Sequence, residues 1–145
     1  MEKPGKIILY TDGASLGNPG RAGVGVVIRN QNRAVVKKIA EFIGITTNNV
    51  AEYMALIYGL QEALYLRAEE LDCFLDSELL VKQLEGSYKV RDSKLKLFYY
   101  QIKHLESFFK KISFNHIGRD KNSEADKLAK EAAKEKRERG DRRIF

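Results

Sequence analysis

The chain has 145 residues, is 43% hydrophobic and 32% charged, and carries a formal net charge of +6 with a pI near 9.4. That length and composition suit one globular domain with a single core and exclude a disordered polymer. Its apolar runs are too short to span a bilayer, and a lone cysteine, Cys73, excludes an internal disulfide. The opening residues have no charged–apolar–small leader pattern, so the expectation is a cytoplasmic protein with no membrane association. A basic surplus favours polyanions as partners, nucleic acid first. It is concentrated at the end of the chain, where residues 127–145 hold eight Lys/Arg against four Asp/Glu. A core over about 6–133 and a basic tail over 134–145 are therefore expected.

Ile7-Ile8-Leu9-Tyr10 is a short apolar run closed by Asp12-Gly13 and predicts a first strand. Gly13 to Gly23, with six residues of Gly, Asn or Pro, predicts a loop. Val24 to Arg29 is a second strand, Asn30-Gln31-Asn32 a hairpin turn, and Arg33 to Ile43 a third strand. Thr46-Thr47-Asn48-Asn49 then leads into a helix whose Tyr53, Leu56, Ile57, Leu60 and Leu64 fall at helical spacing. Leu71 to Leu75 is a strand ending at Asp76, with Cys73 as a buried structural thiol, and Ser77 to Glu85 is a short helix stopped by Gly86. A longer helix is expected from about Ser93 to Phe109. Ile112, Phe114 and His116 alternate with polar residues in a last strand, and a final helix opens near Ser123. Three strands followed by strand–helix alternation imply an α/β fold, a mixed five-stranded sheet flanked by helices.

Four acids hold similar positions. Asp12 and Asp76 close strands, while Glu52 and Asp126 lie near helix starts. In open α/β sheets, sites form beyond the carboxyl ends of strands. Carboxylates gathered there repel one another, and hard divalent cations relieve the repulsion. Each acid also has a plain structural explanation. Asn49-Val50-Ala51-Glu52 and Ser123-Glu124-Ala125-Asp126 have the form of capping boxes, Asp76 can cap the following helix, and Asp12-Gly13 can be a turn. Gly20 is followed by Arg21-Ala22, not by Lys and Ser/Thr, so the glycine-rich segment is not a nucleoside-triphosphate loop.

Four ordered segments resemble the motifs of type 1 ribonuclease H. They are Thr11-Asp12-Gly13-Ala14-Ser15 with Gly17-Asn18-Pro19-Gly20; Thr46-Thr47-Asn48-Asn49-Val50-Ala51-Glu52; Asp76-Ser77; and Asn122-Ser123-Glu124-Ala125-Asp126-Lys127-Leu128-Ala129. The resemblance implies an endoribonuclease that hydrolyses the RNA strand of an RNA–DNA hybrid, leaving 5′-phosphate and 3′-hydroxyl ends. It makes Asp12, Glu52, Asp76 and Asp126 the ligands of two Mg²⁺ (or Mn²⁺) ions. It places Gly13, Ala14, Ser15, Asn18, Asn48 and Asn49 against the hybrid and Thr47 against a DNA phosphate. The alternative is a non-catalytic nucleic-acid-binding domain on the same fold.

The chain departs from the family pattern in several places. Some members carry a basic, Trp-containing insertion where this chain has only Gly86 to Lys94 and no Trp. Lys89, Arg91, Lys94 and Lys96 are then candidates for substrate grip. Glu78 stands at a substrate-contacting position where some members have a polar amide, and Val50 where some have a basic residue. Many members have a mobile loop with a catalytic histidine before the last acid; here Gly118 to Asn122 is short. His116 shares a strand face with Ile112 and Phe114, which predicts a packed side chain over a catalytic one. Arg119, just beyond Gly118, is the better candidate to lean toward the acids. A monomer is expected, on the ground that no apolar helix face is left over.

Overall fold

A computed structural model describes residues 5–135. Most of the expected basic tail, residues 136–145, lies outside the described residues. The elements are β1 (Lys6–Gly17), β2 (Gly20–Arg29), β3 (Val35–Thr46), α1 (Asn48–Tyr65), β4 (Glu70–Leu75), α2 (Glu78–Glu85), α3 (Ser93–Glu106), β5 (Lys111–His116) and α4 (Ser123–Lys134), with a single 3₁₀ turn at Arg119–Lys121 before α4. They form the expected mixed sheet in the order β3-β2-β1-β4-β5. β1, β2 and β3 pair antiparallel, and β4 and β5 extend β1 in parallel.

Alternation along β1 divides the molecule into layers. Ile7, Leu9 and Thr11 are buried on one face, where Gly59 of α1 lets the helix settle onto Leu9. α1 buries Tyr53, Leu56, Ile57 and Leu60 there, and Leu80, Val81 and Leu84 of α2 and Leu95 and Ile102 of α3 join the same core. Each fully buried Leu or Ile contributes roughly 1.5–3 kcal/mol, so this face carries most of the stability. Cys73 lies in that core, fully buried, and burial pushes its thiol pKa up. The opposite face is covered by α4 through Ala125, Ala129, Ala132 and Ala133. Small residues let α4 lie close: a Cβ on Gly25 would stand 2.1 Å from the Ala125 carbonyl, and one on Gly23 2.5 Å from that of Ala129.

Several expectations are corrected. Gly13 to Gly23 is not a loop. β1 and β2 run through it as one antiparallel pair, interrupted only at Asn18-Pro19, and Gly13 and Gly23 admit helices. β3 extends to Thr46, and α3 stops at Glu106, short of Phe109. α3 and the turn after it also leave Leu97, Tyr100 and Phe108 between 59% and 70% exposed, so the stated ground for a monomer does not hold. Among the described residues, no helix is long and apolar enough to cross a membrane.

Candidate active site

The sheet register sets the first two carboxylates side by side. The parallel pairing of β1 with β4 ends at Thr11 opposite Leu75, so Asp12 and Asp76 are the next residue on each strand. Beyond that point β1 continues with β2 while β4 turns away into α2, which opens a cleft at the carboxyl end of β4. Asp12 therefore sits in mid-strand and not in a turn. Glu52 arrives from α1, more than a turn into the helix. Gly13 allows this, since a Cβ there would lie 2.2 Å from the Ala51 carbonyl carbon. The Gly13 N–H donates to Glu52 Oε1 at 3.1 Å and fixes the carboxylate over β1. Carboxylate oxygens of Asp12, Glu52 and Asp76 lie within 4.8 Å of one another.

Asp126 comes from the first turn of α4, which Gly25 holds against the sheet, and Gly25 is the register partner of Asp12. Its carboxylate lines the same cleft and helps to raise the Asp12 pKa, but it also pairs with Lys130 at 3.1 Å. Three carboxylates thus converge tightly, and the fourth stands at the rim.

The capping explanations fail for all the helix-associated acids. Thr47 caps α1, accepting from the Val50 N–H at 3.3 Å, and Ser77 caps α2, accepting from the Leu80 N–H at 3.2 Å. Asn122 precedes α4 without a side-chain capping bond. Its Nδ2 instead donates to the Thr11 carbonyl and to Asp76 Oδ2, both at 2.9 Å. This buried amide, 1% exposed, ties β1 to Asp76. In the sequence it stands only as the first residue of the last motif, with no role that composition assigns. The signal was its place four residues before Asp126.

Burial is the first cause that raises the pKa of Asp12, and the charge of Glu52 adds to it. Glu52 is also raised, by burial and then by Asp76, while the Gly13 N–H, Asp12 and Arg119 pull it back. The site therefore concentrates more negative charge than its surroundings stabilise.

The cleft, about 150 Å³, is lined by the acids together with Gly13, Ala14, Ser15, Asn48 and Arg119. Ser15 Oγ also donates to the Thr46 carbonyl at 2.9 Å, tying β1 to the end of β3. Asn18 Oδ1 accepts from the Asn48 N–H at 2.9 Å, and Asn18, Thr47 and Asn49 line a neighbouring cavity with Lys94. Glu78 is exposed in the first turn of α2 and does not line the cleft. His116 is exposed at the end of β5 and is not packed inward, which corrects the expectation. The β5 edge is thinly covered, so even Ile112 and Phe114 are only partly buried.

A family profile described as "Reverse transcriptase-like" matches residues 10–132. The chain is 41% identical over 128 residues to the bifunctional protein Rv2228c of Mycobacterium tuberculosis, covering 88% of this chain but 35% of that one. It is 37% identical over 131 residues to ribonuclease HI of Halobacterium salinarum, covering 90% of this chain and 66% of that relative. The chain thus spans about a third of the length of the first relative. The crystal structure of RNase H1 from the same archaeon superposes with a TM-score of 0.87 at 38% identity, covering 88% of this chain and 97% of that one. LC11-RNase H1 in complex with an RNA/DNA hybrid gives 0.83 at 42% identity, covering 88% and 96%.

Proposed function

The chain belongs to the type 1 ribonuclease H family, and from that premise we propose that it is an endoribonuclease hydrolysing the RNA strand of RNA–DNA hybrids to 5′-phosphate and 3′-hydroxyl ends. The observation that carries this reading is the convergence of Asp12, Glu52 and Asp76 within 4.8 Å in a cleft. Carboxylate oxygens are the ligands that hard divalent cations take, and the raised pKa values of Asp12 and Glu52 mark a shortage of positive charge. The donor set therefore fits the divalent metal that the family uses. Asp12, Glu52, Asp76 and Asp126 would hold Mg²⁺ or Mn²⁺, two per site. When bound, such ions neutralise the carboxylates, lower the pKa of water and stabilise charge on a phosphodiester.

The other groups position the substrate. Asn122 holds Asp76 and the Gly13 N–H holds Glu52, so two carboxylates are fixed before substrate arrives. Arg119, lining the cleft, can hold a phosphate oxygen but cannot shuttle a proton near neutral pH. The amides of Asn18, Asn48 and Asn49 present donors and acceptors suited to sugar edges, including the 2′-hydroxyl that distinguishes RNA from DNA. Thr47 stands at the start of α1, where N–H groups favour a DNA phosphate.

The test is a labelled RNA–DNA hybrid set beside matched duplex RNA and duplex DNA, with and without Mg²⁺. Cutting of the hybrid's RNA strand alone, dependent on the ion, is expected. Equal cutting of duplex DNA would refute the substrate assignment. Hybrid binding without cleavage in either Mg²⁺ or Mn²⁺ would leave a non-catalytic binding domain instead.

A further inference from the structure

Behind Asn122, on the α4 face of the sheet, lies a second cavity of about 290 Å³ that the catalytic reading leaves unused. Its walls include Tyr10, Arg29, Arg33 and Lys121, and it opens against the first turn of α4. Three features converge there. First, Arg33 and Lys121 are exposed and make no ion pair among the described residues, so their charges are available. Glu124, the one acid in the wall, is already matched by Arg29 at 2.7 Å and Lys38 at 2.8 Å. Second, because Asn122 spends its side chain on Thr11 and Asp76, α4 begins without a side-chain cap. The N–H groups of Ser123, Glu124 and Ala125 have no hydrogen-bond partner among the described residues, and such groups favour an anion. Asn122 also lines the cavity, and its buried Oδ1 has no hydrogen-bond partner among the described residues. Third, Tyr10 is only partly buried and stacks on Phe74 at 5.3 Å between ring centroids and 22° between planes, forming an aromatic platform.

The arrangement is rigid where a ligand needs it. Arg29 donates to the Arg33 carbonyl at 2.8 Å, and Asn30 Oδ1 accepts from the N–H groups of Asn32 and Ala34, so the β2–β3 turn that carries Arg33 is pinned beside the cavity. An anion seat, two unmatched cations, an aromatic face and a lone acceptor together match one nucleotide, with its phosphate, base and hydrogen-bond donors. We propose that this cavity is a second nucleic-acid site that takes a nucleotide of a single strand, its phosphate at the first turn of α4 near Arg33 and Lys121 and its base on Tyr10. The site is distinct from the hybrid cleft, and its test does not depend on cleavage.

The experiment is an amide-resolved NMR titration of the full chain in metal-free buffer. The probes are a single-stranded RNA hexamer, a DNA hexamer of the same sequence, inorganic phosphate and a hexaglutamate peptide. The expected result is saturable shifts at Ser123, Glu124, Ala125 and Arg33 with either oligonucleotide, the tighter of the two naming the source. A variant carrying Arg33→Asn and Lys121→Glu should bind the oligonucleotides at least tenfold more weakly and still cut hybrid within twofold of wild type. Asn suits the left-handed backbone at position 33, where φ is +67°, so this variant should keep its fold. Tyr10→Leu should weaken oligonucleotide binding several-fold and leave phosphate binding unchanged. The proposal is overturned if the shifts fall only on the cleft around Asn18 and Asn48, if the double variant binds as wild type does, or if hexaglutamate binds as tightly as the oligonucleotides.

Discussion

Replacing Asp12 by Asn should stabilise the metal-free protein while abolishing cleavage. Asp12 is 4% exposed, and its oxygens lie within 4.8 Å of those of Glu52 and Asp76. Two unit charges at that separation repel by about 3 kcal/mol at an effective dielectric constant of ~20. The wild-type site relieves part of this by holding a proton, as the raised pKa values of Asp12 and Glu52 indicate. The net gain from removing one charge is then on the order of 2–4 kcal/mol, or roughly 5–15 °C in Tm for a domain of this size. The pH dependence follows from the direction of those shifts. Folded carboxyls with raised pKa values hold protons that the unfolded chain has released. Wild-type stability from this site is therefore fully present in acid and declines as pH rises through the ordinary carboxylate range toward the folded values. The gap between variant and wild type should be wider at pH 8 than at pH 5 in EDTA. Glu124, held low by Lys38 and Arg29 against the effect of burial, acts in the opposite sense, but equally in both proteins. Calorimetry of the two proteins at both pH values measures the effect, and Mg²⁺ should then raise the wild-type Tm more than the variant's. A variant that melts no higher than wild type at pH 8 in EDTA, or a gap independent of pH, would refute the reasoning.

Four further outcomes are expected. Asn122→Ala removes both bonds that fix Asp76 and Thr11, and should cost about 1–3 kcal/mol in denaturant unfolding and reduce turnover about tenfold. Arg119→Ala should slow steady-state hybrid cleavage about 10–100-fold, and Arg119→Lys should recover only part of the loss, because a point charge lacks the planar fork. His116→Ala, at an exposed position, should change Tm by no more than about 1 °C and leave turnover near wild type; a large loss of turnover would return the histidine to the catalytic role. Gly25→Ala places a methyl group 2.1 Å from the Ala125 carbonyl, so it should destabilise by roughly 1–3 kcal/mol and lower activity by moving Asp126.

The element order and the mixed sheet were legible because hydrophobic periodicity is a local signal. Tyr53, Leu56, Ile57 and Leu60 announce α1, and Leu71, Cys73 and Leu75 announce β4, without knowledge of their partners. The segment from Gly13 to Gly23 misled for a physical reason. Glycine punctuates loops, but it also appears where another backbone must come close, and composition does not separate the two uses. Gly13, Gly23 and Gly25 are helix seats within strands, visible as such only once α1 and α4 lie across them. The inward reading of His116 failed because alternation gives the face of a strand and not the depth of cover over it. β5 is an edge strand of the sheet, so even its inward face is only partly buried.

The four acids were legible as a set, but their convergence was not, since it depends on a register and two helix placements. The capping patterns around Glu52, Asp76 and Asp126 offer a structural explanation for each acid, and the structure removes it. A carboxylate that capped its own helix would spend its oxygens on backbone N–H groups. In this fold Thr47, ahead of Glu52, and Ser77, just after Asp76, take the capping positions, which leaves those acids free of helix-capping bonds. Asn122 stands in the corresponding place before Asp126 and forgoes the cap to hold Asp76, which leaves the first turn of α4 open to an outside anion. The same short polar residues therefore do two jobs. They start helices at the rim of the sheet, and by doing so they keep the negative charge of the cleft available to a cation.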